Sequence, residues 1–154
     1  MTARETTSAV PLLVFLAAVL GVAGYLGWRA YDSPVDERGA GQVAVRASEV
    51  VVRAGGGDAT VCAAMHDVAA PDDAEASVRR CGEIASLARS GGPGWLGVRS
   101  LYATKVDVGR DSGTVTVSGT LLTRGRTFPL SFTWAVNRAD GAWTVSGVAD
   151  VEIG

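Results

Sequence analysis

TVTVSGTLLTRGRTFPLSFTWAV, residues 114–136, is the stretch of this sequence that decides its fold. Apolar side chains occupy every second position on both sides of a short Arg-Gly-Arg break. A period of two predicts a β-hairpin whose strands each bury one face. The residues predicted to face the core are Val115, Val117, Gly119 and Leu121, followed by Phe128, Leu130, Phe132, Trp134 and Val136.

The same alternation continues on both sides of this hairpin and predicts two further strands. The connections 109–113, 124–126 and 137–141 are all of hairpin length, and the last contains an Asp-Gly turn. Because proline cannot donate to a ladder, we expect Pro129 at a bulge or early in its strand. The outer strands are predicted to face the core through Tyr102, Thr104, Val106 and Val108, and through Trp143, Val145, Gly147, Ala149, Val151 and Ile153.

The chain before these strands has a helical period instead. A first helix is predicted from Gly41 to the glycine run 55–57, with Val43, Ala47, Val50, Val51 and Ala54 on its apolar face. Asp58 is the predicted N-cap of a second helix, with Val61, Met65 and Val68 as its stripe. Pro71 ends that helix, and a third runs from Asp72 or Asp73 to residue 90. The fold class is therefore α+β, with about three helices on a curved four-stranded antiparallel meander.

The chain has two cysteines, Cys62 in the second predicted helix and Cys81 in the third. In an oxidising compartment they would form a disulfide that links these helices, which is our expectation. A reduced pair would be inert core residues or half of a metal site. His66 is the only histidine, so a closed zinc site has at most three soft ligands. We expect no metal and no cofactor.

Residues 9–28 contain no charge, and a helix of that length spans about 30 Å, one hydrocarbon core. We predict a single transmembrane helix there, after a tail of residues 1–8 and before a linker, 29–40, and an extracytoplasmic domain, 41–154. A cleaved signal peptide is the alternative. The apolar run continues past a possible cleavage site at 21–23, and the tail lacks an excess of positive charge, so we favour the permanent anchor.

The orientation of this span rests on two opposed rules. A count of basic residues on the two sides leans towards a cytoplasmic domain, whereas the short tail and the cysteine pair favour the outside, which we choose. Small residues at Ala17, Gly21 and Gly24 are typical of a close helix–helix contact, and they would let the spans of two copies associate. The simpler interpretation is that alanine and glycine are common in this chain.

Charge argues against a nucleic-acid partner. The chain carries 14 Lys+Arg against 16 Asp+Glu, and no block of like charges occurs. Neutralising phosphates requires a clustered basic face. Only Lys105 among the basic residues is a lysine.

The order of elements, closing on the Asp140-Gly141-Ala142-Trp143-Thr144-Val145 strand, resembles the nuclear transport factor 2-like fold over about residues 41–153. It is similar in particular to small membrane-anchored bacterial members, including Mce-associated membrane proteins of actinobacteria. The resemblance implies a cone-shaped sheet around a long helix, with a mouth that holds a ligand or is plugged. Family members range from isomerases to scaffolds, so the fold does not decide the function.

Three kinds of function fit a domain of this form. The first is a non-catalytic extracytoplasmic module that assembles or braces an envelope complex for transport or secretion. The second is a pocket for a small hydrophobic ligand, lined by Phe132, Trp134 and Trp143, which could equally be core residues. The third is an isomerase-type enzyme, which needs a carboxylate facing the cavity. The available acids lie on the polar side of the alternation, and Tyr102 is predicted to face inward without an acidic partner, so we predict no enzyme; those acids are Asp107, Asp150 and Glu152.

Overall fold

The computed structural model describes residues 17–23, 36–90, 95, 97–123 and 125–154. The chain divides into two units, Met1–Pro34 and Val35–Gly154. In the first unit, residues 17–23 are helical and exposed. No helix within the described ranges is long and apolar enough to cross a membrane. The rest of the predicted span and most of the predicted linker lie outside the described residues, as does Gly24.

The second unit is α+β. Its helical half contains helix α1 (Glu37–Gly55), two 3₁₀ segments (Ala59–Asp67 and Pro71–Asp73) and helix α2 (Ala74–Ser90). The strands are β1 (Val98–Val108), β2 (Ser112–Thr123), β3 (Arg126–Ala139) and β4 (Ala142–Ile153). They form one antiparallel sheet in the order β1-β2-β3-β4, which confirms the predicted meander.

Helix α1 begins at Glu37, four residues before the predicted start at Gly41. The carboxylate of Asp36 caps it by accepting a 2.9 Å hydrogen bond from the backbone N–H of Gly39. Its buried face is made almost wholly of small side chains, which lets the helix axis lie close to the sheet. These residues are Ala40, Gly41, Ala44, Ala47, Ser48, Val51, Ala54 and Gly55.

The second predicted helix is a 3₁₀ segment, Ala59–Asp67, rather than an α-helix. Asp58 caps it as predicted, through the backbone N–H of Thr60 at 3.1 Å. A 3₁₀ helix has three residues per turn, so buried residues recur at every third position, here Cys62, Met65 and Val68. Cys62 is therefore buried in place of Val61, which was predicted to face inward and is half-buried. Cys62 and Cys81 form the predicted disulfide, with their Cα atoms 5.7 Å apart. It joins this segment to α2.

The predicted inward face of β1 is wrong over its first half. The pairing of β1 with β2 shifts between Arg99 and Tyr102 and again between Ala103 and Lys105. Each extra residue reverses which side chains face the core. Tyr102 therefore points away from the core and is 58% exposed. Thr104 is also exposed, while Val106 and Val108 are half-buried as predicted.

Strand β4 changes phase for the same reason. Its register against β3 shifts between Thr133 and Trp134 and between Ala135 and Val136. Trp143 and Val145 face the core as predicted, but Val148, rather than Gly147 or Ala149, lies opposite Trp134. Pro129 lies early in β3, as expected, and the β2–β3 pairing is regular through it.

Candidate protein-interaction groove

The centre of the sheet is closed by packed aromatic side chains. Phe132 and Trp134 are both 0% exposed, with ring centroids 6.5 Å apart. Trp95 meets Phe132 edge to face, at 5.6 Å and an interplanar angle of 78°. Gly55 permits this approach, because a Cβ added there would lie 2.8 Å from Cε3 of Trp95. Two of the three residues predicted to line a ligand pocket are therefore surrounded by protein.

Trp95 was not assigned a role from the sequence. It follows the glycine- and proline-rich break at 90–94, which has no periodicity from which burial can be inferred. A tryptophan within such a break is itself a signal, because a large apolar side chain in an otherwise small-residue connection needs a packing partner. Here it closes one end of the sheet beside the C-terminus of α1, where its backbone N–H donates to the carbonyl of Gly55 at 3.2 Å.

A buried polar chain joins α1 to the middle of the sheet. The indole N–H of Trp134 donates to Oγ of Ser48 at 2.8 Å, and that hydroxyl donates to the carbonyl of Ala44 at 2.9 Å. Ser48 is also 0% exposed. The arrangement satisfies the donors of both side chains and fixes the position of the helix on the sheet.

Trp143, the third predicted pocket residue, lies elsewhere, beside the start of α1. It is 7% exposed, and the guanidinium carbon of Arg138 is 5.9 Å from its ring centroid. Its Nε1 is buried and has no hydrogen-bond partner among the described residues. The ring borders a cleft of about 240 Å³ that also includes Asp36 and Asp67. The three predicted residues therefore do not surround one cavity.

A larger cleft lies between α1 and the edge strand β1, with a volume of about 730 Å³. We call it the α1–β1 groove. Small residues let the helix meet the strand at its floor: a Cβ added to Gly41 would lie 3.5 Å from Cβ of Ala103 and 3.8 Å from Cγ2 of Val106. The groove is lined by Glu37, Arg38, Gly41, Gln42, Val45, Arg46 and Glu49 from α1 and by Leu101, Tyr102, Ala103 and Val106 from β1.

The floor and rim of the groove differ in chemistry. Val45, Leu101 and Val106 are half-buried apolar side chains. The helix rim is exposed and carries two acids and two arginines, and no ion pair joins any of them within the described residues. An apolar floor with a polar rim is the usual composition of protein interfaces. The rim charges are Glu37, Arg38, Arg46 and Glu49.

The strand side of the groove is also a free sheet edge. In the described sheet β1 pairs only with β2, so its outer side presents backbone groups without a strand partner. Such an edge can accept a further strand from a partner. The register shifts in β1, where Ser100 has φ +58°, and the charged Lys105 are features that limit uncontrolled edge pairing.

The acids considered for catalysis lie away from this groove. Asp107, Asp150 and Glu152 are exposed, and their cross-strand partners Thr114, Thr133 and Ser131 place them on the sheet face opposite the core. The imidazole of His66 is half exposed, with Nε2 3.6 Å from Oε1 of Glu75. Among the residues that the structure describes, no three His, Cys, Asp or Glu side chains could together hold a metal ion.

No protein-family model matches this chain, and neither the curated proteins nor the solved structures contain a significant match.

Proposed function

We propose that the protein is a non-catalytic, membrane-anchored extracytoplasmic module that assembles or braces an envelope complex, and that it contacts its partner through the α1–β1 groove. In this proposal residues 9–28 hold the domain at the membrane and the domain lies outside. The groove is the observation that carries it: within the described residues, an apolar floor, rim charges without ion-pair partners and a strand edge without a neighbouring strand occur together.

The composition of the groove favours a protein over a substrate. Its floor is formed by half-buried aliphatic side chains. When a partner removes these side chains from water, the free energy of the complex is lowered. The rim charges of α1 have no partners in the described residues, so a protein with complementary charges can select this surface and be oriented by it. The free backbone groups of β1 add hydrogen bonds that do not depend on the partner's side chains.

The disulfide supports an extracytoplasmic location. A bond between Cys62 and Cys81 persists in oxidising compartments and is rare in cytosolic proteins. It links the 3₁₀ segment to α2, and neither cysteine is among the residues that line the α1–β1 groove. It is therefore a structural link, and it leaves the groove free for a partner.

The test is site-specific photo-crosslinking in the native membrane. A photoreactive amino acid is placed at Gln42, on the exposed rim of the groove, and at Arg79, on the exposed surface of α2, as the matched control. We expect Gln42 to give a defined cross-linked protein that Arg79 does not give. The Gln42→Trp substitution, which fills the groove from its rim, should remove a cross-link formed from Glu49, and Arg79→Trp should not.

Equal labelling from the groove and control positions would contradict the proposal. A second candidate is a small hydrophobic ligand in the same groove, because its volume falls in the range of known small-molecule sites, roughly 300–1,000 Å³. In that case the Gln42 position would become attached to a small molecule, detected by the intact mass, and no protein partner would be found. The two candidates therefore give different products in one experiment.

A further inference from the structure

The sheet face opposite the core has an uncharged centre. Strand β2 contains no charged residue, and outward side chains of β2 and β3 form short rows of hydroxyls with cross-strand pairs Thr116–Thr133 and Ser118–Ser131. We call this surface the hydroxyl face. It is made of Thr114, Thr116, Ser118, Thr120, Ser131 and Thr133, which are half-buried or exposed.

The two edges of the hydroxyl face carry opposite charges. One continuous row runs from Lys105 on β1 through Thr116 and Thr133 to Asp150 on β4. The next runs from Tyr102 to Glu152. Arg99 lies in the next row along the β1 edge, where it pairs with Thr120 of β2.

These edge charges have no ionic partners among the residues that the structure describes. Lys105 and Arg99 form no ion pair in the described part of the chain, and neither do Asp150 and Glu152. Asp150 only accepts a hydrogen bond from the following backbone N–H, at 2.8 Å. Asp107 is the exception to the basic edge, and its row ends on β4 at the uncharged Gly147. The face is thus a neutral strip between a mainly basic and an acidic margin.

This pattern is complementary to itself under one particular rotation. A two-fold axis that runs along the strands, between β2 and β3, places β1 of one copy over β4 of the other without changing the row. Lys105 then faces Asp150 of the second copy, and Tyr102 faces Glu152 of the second copy. Arg99 lies one row away from that Glu152. A two-fold axis across the strands would instead place β4 of one copy over β4 of the other, so that the two acidic margins repel each other.

We propose that the hydroxyl face is a homodimer interface in which two copies stack with β1 over β4. The four strands and the rows between Thr114 and Leu122 span roughly 19 Å by 27 Å, so the pair would bury on the order of 1,000 Å² in total. That area is at the lower limit of stable interfaces and predicts a weak dimer. Anchoring both copies in one membrane raises their effective concentration and favours it. Tyr102 borders both this face and the α1–β1 groove, but the charged residues that carry this inference do not line the groove.

The single lysine makes the dimer testable by zero-length crosslinking. Within one copy, Lys105 and Asp150 lie three strand spacings apart, roughly 14 Å, which a carbodiimide cannot bridge. An amide bond between Lys105 and Asp150 or Glu152 must therefore join two copies. We expect a covalent dimer of the full chain in membranes, with that cross-linked peptide identified by mass spectrometry. Lys105→Arg keeps the charge and should retain the dimer in sedimentation while losing the cross-link.

Charge reversal tests the geometry of the dimer. In detergent micelles, we expect Lys105→Glu and Asp150→Lys each to weaken dimerisation of the full chain about tenfold or more, because each creates two repulsive contacts across the symmetric interface. The Lys105→Glu, Asp150→Lys double variant should restore it, since every pair is again of opposite sign. Arg79→Glu changes the net charge equally on α2 and should have no effect.

Two outcomes would overturn the inference. If the double variant associates no better than the single variants, β1 does not lie over β4. If the only dimer forms without a Lys105 cross-link and is insensitive to Lys105→Glu, association occurs elsewhere, such as through the apolar span. Neither outcome bears on the groove, whose photo-crosslinks from Gln42 are measured separately.

Discussion

The hydrogen bond from Trp134 to Ser48 joins helix α1 to the sheet, and substitutions can measure how much it contributes to the free energy of unfolding. Both residues are 0% exposed and the bond length is 2.8 Å. Ser48→Ala removes the acceptor and leaves the indole N–H buried without a partner. Leaving a buried donor unsatisfied costs about 1–3 kcal/mol. The better helix propensity of alanine returns about 0.5 kcal/mol. We therefore expect a net loss of roughly 1–2 kcal/mol in the free energy of unfolding.

Ser77 provides a matched control on the other helix. It is 5% exposed in α2, and its Oγ is buried with no hydrogen-bond partner in the part of the chain that the structure describes. Ser77→Ala is the same chemical change in a similarly buried helical site, but it removes an unsatisfied group rather than creating one. We expect no loss, or a gain of up to about 1 kcal/mol. The helix-propensity contribution cancels when the two variants are compared.

The two tryptophans of the sheet allow the converse experiment. Trp134→Phe removes an indole N–H that is hydrogen-bonded, whereas Trp143→Phe removes one that is buried and has no partner within the described ranges. The first variant should be less stable than the second by about 1 kcal/mol, the usual net contribution of a buried hydrogen bond. Combining Trp134→Phe with Ser48→Ala should cost less than the sum of the two single changes, because they disrupt one contact.

Stability is measured on the full chain in detergent micelles, by urea unfolding followed with far-ultraviolet circular dichroism. The midpoint should fall for Ser48→Ala with an unchanged slope, and stay or rise for Ser77→Ala. Equal shifts for the two serine variants would refute the reasoning, since they would mean that the Trp134 bond contributes nothing beyond the loss of a hydroxyl. A changed slope would indicate altered compactness instead.

Two further predictions concern packing and the disulfide. Gly55→Ala should destabilise the domain by about 1–3 kcal/mol, because the added Cβ would lie 2.8 Å from the Trp95 ring. Gly82→Ala is the control: an added Cβ there would have no described atom within 4 Å, so it should stabilise α2 by about 0.5–1 kcal/mol. Thermal unfolding of the two variants measures the difference. The double Cys62→Ala, Cys81→Ala variant should lose about 3 kcal/mol, the chain-entropy value for a loop of this size, and urea unfolding of wild-type protein with and without reductant should show a similar difference.

The sequence predicted the parts of the fold in which one period repeats without interruption. Strands β2 and β3 pair in regular register over their whole length, so the alternation of Val115, Val117 and Phe132 correctly identified the core face. Asp58 was predicted as an N-cap because its side chain acts within one turn. The edge strands were harder. An extra residue in a ladder reverses the face to which every following side chain points. Because β-branched and polar residues alternate in the same way before and after the extra residue, the sequence does not show where the reversal occurs.

The candidate site depended still more on distant contacts. The rim residues of the groove look like the solvated face of an ordinary amphipathic helix, and only their position beside the free edge of β1 makes them a possible interface. The residues predicted to form a pocket were correctly recognised as large and apolar. Whether such side chains line a cavity or fill it depends on what packs against them, and Trp95 and Ser48 come from other elements.

By itself, the sequence determined the α+β class, the order of helices and hairpins, the Asp140-Gly141 turn, at which both residues have positive φ, and the pairing of two cysteines near enough in the chain to link neighbouring helical segments. These follow from periodicity and from interactions between residues close in sequence. Only the tertiary structure decided the phase of β1 and β4, the closed centre of the sheet and the arrangement of charges on the hydroxyl face. The reason is physical: strand register and core packing are set by the combined fit of residues far apart in the chain, and no local pattern contains that fit.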